Sequence, residues 1–140
     1  MTCPECTTAV VSFSVPEAYR TDAPSGAAVV SFCPRCLRLE PTPDAPLDAD
    51  GNGPAGGEPD FSRVSDAFPT TPERAIPLAL AVGLCSSLAT NRAAIETLLE
   101  AVERAGTDPL LVLDRLSADP SVEPAIDLER RSHQLEQLLY

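Results

Sequence analysis

The chain of 140 residues contains no lysine and no tryptophan, a single histidine, a single methionine, and only six Phe and Tyr residues together. Without lysine, its ten arginines are the only strong cations, set against 21 acidic residues for a formal net charge of -11. Nucleic-acid binding draws on several cationic contacts to phosphate and on aromatic stacking, so this balance disfavours it. The lone histidine, His133, leaves no Cys/His pair for nucleophilic catalysis. No phosphate-cradling glycine loop, nucleophile elbow or framed pair of carboxylates is found either, so the chain is not read as an enzyme. Long apolar runs are also missing. The longest, Ala75 to Leu84, is interrupted by Pro77 and Gly83 and falls well short of the ~20 residues of a membrane helix. No basic segment followed by an apolar core opens the chain, so no secretory signal is expected and the expected location is the cytoplasm.

The strongest positive feature is a pair of CxxC knuckles, Cys3-Pro4-Glu5-Cys6 and Cys33-Pro34-Arg35-Cys36. Each places two thiols on one side of a tight turn. Two knuckles joined by a hairpin complete a tetrahedral four-sulfur site. Cys3, Cys6, Cys33 and Cys36 are therefore the expected ligands of one structural zinc ion, with iron as the less favoured occupant. A closed site of this kind has no position left for substrate. A dithiol redox centre is the weaker alternative, because a redox CxxC follows a strand and opens a helix, and Cys3 has no room for a preceding strand. A reducing cytosol also favours metal ligation over disulfides. The fifth cysteine, Cys85, lies in an apolar helix and is read as a small core residue. Arg35 and Arg38 stand where they can offset the charge of the thiolates.

The rest of the chain divides by composition. Residues 1–40 read as a zinc ribbon, with β-type runs Ala9–Val15 and Ala27–Phe32 around turn residues Pro16 to Gly26. Residues 41–60 are rich in Pro, Gly and Asp without an apolar period and read as a flexible acidic linker. Asp48, Asp50, Asn52 and Gly53 open like a calcium loop, but Pro59 occupies the place of its bidentate Glu, so the linker reading stands. Residues 61–140 read as an α-helical domain of about four helices: one from about Pro77 to Ala89, one capped by Asn91 and stopped by Gly106, a short one opened by Asp108-Pro109, and one from near Pro124 with Leu128, Ser132, Leu135 and Leu139 along a stripe. The expected fold class is α+β. The linker and the helical region each carry -5 of the net charge and the ribbon only -1. Acidity of this kind reads as adaptation to salt.

The knuckles CPEC and CPRC around a Val/Phe hairpin, the phrase Asp60 to Phe68 (DFSRVSDAF), and the stretches LATNRAAIETLLEAVERAG, DPLLVLDRLSADP and DLERRSHQLEQLL resemble an uncharacterised family of small haloarchaeal proteins. The resemblance implies a two-part architecture with zinc-ribbon cysteines and implies no activity. The expected role is that of a zinc-binding protein-interaction or regulatory adaptor with a protein partner. A nucleic-acid-associated zinc-ribbon role is the first alternative and the dithiol redox role the second.

Overall fold

In a computed structural model, the structure describes residues 3, 8–19, 21, 29–41, 61–65, 67–85, 88–120, 122–123 and 127–139. The expected linker from residue 42 to 60, the candidate calcium loop within it, and Cys6 lie outside the described residues. The architecture is α+β: a three-stranded antiparallel sheet followed by four helices.

Strands β1 (Val11–Ser14), β2 (Val29–Phe32) and β3 (Leu39–Pro41) lie in the order β1-β2-β3. Val11 faces Phe32 and Phe13 faces Val30, while Phe32 also faces Leu39 and Val30 also faces Pro41. Alternation buries Val11 and Phe13 from β1, whereas all four residues of the central β2 are buried. The sequence reading supplied β1 and β2 as a hairpin; the sheet has a third strand beyond the second knuckle. Three residues ending in proline carry no readable alternation. Proline is tolerated there because β3 is an edge strand.

The helices are α1 (Pro72–Leu84), α2 (Leu88–Arg104), α3 (Pro109–Ala118) and α4 (Leu128–Leu139). Three of their boundaries depart from the sequence reading. α1 begins at Pro72, five residues before Pro77, because Thr71-Pro72 forms the N-terminus with proline in the first turn, where its missing N–H costs nothing. Asn91 lies inside α2 and caps another helix: its Nδ2 donates to the Leu84 carbonyl at the end of α1 (3.2 Å). The last helix starts at Leu128, behind Asp127, whose Oδ1 accepts from the Arg130 N–H (3.1 Å). Asp108 caps α3 as its Asp-Pro signature predicts, accepting from the N–H groups of Leu110 and Leu111. Gly106, at φ 97°, ends α2 as expected.

Sheet and helices share one core. Phe13, Val30 and Phe32 belong to the same buried cluster as Leu78, Leu80, Ile95, Leu99, Leu113 and Leu135. The junction is aromatic: Phe61 packs against Phe13 with ring centroids 5.3 Å apart, and Phe68 stacks on Phe32 at 6.0 Å. α1 approaches β3 so closely at Gly83 that a Cβ there would collide with Leu39. The sheet is thus packed on the helices. Leu128 and Leu135 of the α4 stripe are buried in this core. Among the described residues, no helix is long and apolar enough to cross a membrane.

Candidate metal centre

The second knuckle grows directly out of β2. After Phe32 the chain leaves the sheet and turns through Pro34, Arg35 and Cys36, then re-enters as β3. The Cys33 N–H donates to the Arg38 carbonyl (2.9 Å) and the Leu37 N–H to the Cys33 carbonyl (3.0 Å). The Cys36 N–H points at the Cys33 sulfur (3.5 Å), the contact that proline at position two leaves available in such a turn. Closing the turn requires Leu37 to adopt φ 62°, the left-handed conformation. That costs a non-glycine residue about 1–2 kcal/mol. Leu37 is only 4% exposed and belongs to the core, and this burial holds it there.

From the first knuckle, Cys3 is described. Its N–H donates to the Thr8 carbonyl (2.9 Å), tying Cys3 to the approach to β1. Cys3, Cys33 and Cys36 are 2%, 1% and 7% exposed and form a buried cluster separate from the main core, with Val10 packed against it. All three sulfurs lie within 4.8 Å of one another, and those of Cys3 and Cys36 are 3.7 Å apart.

That separation is chemically informative. It is far beyond the ~2.05 Å of a disulfide. It agrees with the ~3.8 Å between two sulfurs on a tetrahedral ion with metal–sulfur bonds of ~2.3 Å. Without a metal, the Cys36 thiol holds its proton tightly. Burial pushes Cys36 up to about 12, against a lowering by the Arg38 backbone N–H and with further raising by Cys33 and Cys3. A divalent cation reverses this balance, because it is the largest charge in such a site and deprotonates coordinating thiols. The three cysteines can therefore hold a metal ion, and the donor set is one suited to soft, thiolate-binding metals.

The model of DUF6276, described as a family of unknown function, matches residues 2–139 of this chain. The protein is a member of that family. The match takes in both cysteine pairs and all four helices of the DUF6276 chain. No curated protein and no solved structure matches it.

The other candidate residues separate cleanly from the centre. Cys85 is 1% exposed within the main core, and its thiol is pushed up to about 12 by burial, with Arg131 opposing. It is packed as a core residue. His133 is exposed on α4, beside Asp127, Glu129 and Arg130 in a shallow depression. Arg38 is exposed, whereas Arg35 forms an ion pair with Glu123 (2.8 Å). Phe13 and Phe32 are fully buried. Sequence reasoning missed three residues around the centre: Leu37, because the left-handed position usually carries glycine; Arg63, visible only as part of the DFSRVSDAF phrase; and Glu123, which no spacing marks.

Proposed function

We propose that this DUF6276 protein is a non-enzymatic interaction module built around one structural zinc ion, held by Cys3, Cys6, Cys33 and Cys36, and that it works in the cytoplasm. The observation that carries this reading is the burial and mutual spacing of the Cys3, Cys33 and Cys36 sulfurs, 3.7 Å at the closest pair. Cys6 supplies the fourth thiolate through its CxxC spacing to Cys3. Four thiolates close the coordination sphere, so the ion serves folding and shape. Iron on the same ligands would announce itself by colour and redox activity, and zinc by neither.

The partner we infer is a protein. The two phenylalanines of the sheet are consumed by the core, so neither ring is free to stack on a base. The knuckle displays exposed Arg35 and Arg38, with exposed Glu40 following on β3, a surface whose shape would depend on the ion. Affinity capture with the zinc-loaded chain and with Cys36→Ser tests the role. A protein retained by the loaded chain and lost with the variant supports it; identical capture by both contradicts it.

A further inference from the structure

The centre is tied to the helices by residues remote in sequence, and these ties join into one belt. At the N-terminal side, the Arg63 guanidinium donates to the Ala9 carbonyl (2.6 Å) and the Val10 carbonyl (3.5 Å), immediately after the segment closed by the Cys3–Thr8 hydrogen bond. Two residues on, the Ser65 hydroxyl donates to Asp119 Oδ2 (2.6 Å), at the C-terminal cap of α3. The Asp119 carbonyl accepts from the Val122 N–H (3.2 Å), and Val122 is buried in the core. Next to it, Glu123 grips Arg35 twice: its backbone N–H donates to the Arg35 carbonyl (2.7 Å) and its carboxylate accepts from the Arg35 guanidinium (2.8 Å). Arg35 stands between Cys33 and Cys36 in the chain. The belt therefore starts near one knuckle, passes the C-terminal end of α3, and ends inside the other.

We propose that Arg63, Ser65, Asp119 and Glu123 are positioning residues for the metal centre, and that metal occupancy is transmitted along them to the connection between α3 and α4. This rests on the metal reading above and extends it. The ion holds more than the sheet: through the belt it joins Cys3 and residues 8–10, residues 33–36, and Asp119 with Val122 and Glu123, stretches far apart in sequence. Linkage makes the coupling reciprocal. Whatever the ion does to order the belt, an ordered belt does to retain the ion. Single exposed pairs such as Arg35–Glu123 contribute little alone. The partly buried Ser65–Asp119 bond and the buried Val122 give the belt its stiffness.

The test is hydrogen exchange on the full chain, zinc-loaded and after zinc removal by a chelator, with metal content measured in both samples. The expected result is that zinc removal speeds exchange of the Glu123 and Val122 amides by about ten-fold or more, together with the knuckle amides of Cys36 and Leu37. Ser65→Ala, which alters neither a ligand nor a knuckle residue, is expected to hasten zinc release to a chelator by about three-fold or more, with Ser65→Thr restoring the slow rate. Zinc bound at the outset, with acceleration confined to the sheet and knuckle, overturns the transmission and leaves the metal reading intact. A chain that carries no zinc before chelation overturns the metal reading itself, and the belt with it.

Discussion

Around the metal centre the decisive residues are those whose chemistry is set by burial. Cys33 and Cys36 are buried on one turn with their sulfurs close to that of Cys3, so replacing either is expected to disable the proposed metal site. Cys33→Ser is expected to abolish stoichiometric zinc binding, whereas Cys85→Ala is expected to keep it, as metal analysis of the two variants will show. Cys85 also predicts a pH effect. Its thiol ionises near 9.0 in an unfolded chain and at about 12 in the folded one, so the folded state holds the proton more tightly. The neutral thiol's contribution is complete below pH 9 and is lost as pH rises toward 12, at up to ~1.4 kcal/mol per pH unit. Denaturant titrations at pH 8 and pH 10 should show the loss in the wild-type chain and a shallower one in Cys85→Ala. Leu37 offers the third test at this scale. Leu37→Gly relieves about 1–2 kcal/mol of left-handed strain but forfeits a buried side chain typically worth 2–5 kcal/mol. A net destabilisation of roughly 1–3 kcal/mol is expected, and no loss or a gain would show that strain dominates at the knuckle.

At the scale of elements, the sheet depends on α1 coming unusually close. Gly83 lies in the last turn of α1, where alanine would ordinarily gain part of the up to ~1 kcal/mol of its helix propensity over glycine. Here the added methyl meets the rigid Cβ of Leu39. Gly83→Ala is therefore expected to destabilise by about 1–3 kcal/mol, the usual penalty of overpacking, and a measured stabilisation would mean that helix and strand separate at little cost. The same contact marks where sequence reading stopped. β1, β2 and the Asp108 cap were legible because alternation and the Asp-Pro pair are local signals. β3 was not, since Leu39-Glu40-Pro41 is ordered by β2 and by the knuckle turn rather than by its own pattern. Asn91 followed the same logic. Its side chain reads as a cap for the helix that contains it, yet it caps the preceding one, a choice made by the packing of α2 against the end of α1.

For the whole molecule, the joint between sheet and helices is the main consequence of tertiary packing. Nothing in a one-dimensional pattern told that Phe13 and Phe32 would pack on Phe61 and Phe68. That pairing follows from the shortage of apolar surface in a small sheet, which must borrow a partner layer to complete a core. The cysteine spacing was legible as a motif, and three of its four members, Cys3, Cys33 and Cys36, lie together here, while Cys6 falls outside the described residues. With one core, heating should unfold sheet and helices together, and zinc bound at a thousand times its dissociation constant should add ~4 kcal/mol to the whole transition. The most direct measurement is the metal-to-protein ratio of the full chain, purified under reducing conditions without chelator, alongside thiol titration in the native state. The account predicts one zinc per chain and no reactive thiol until the metal is removed; a metal-free chain whose Cys3, Cys33 and Cys36 react freely, or cycle to disulfides, would contradict it.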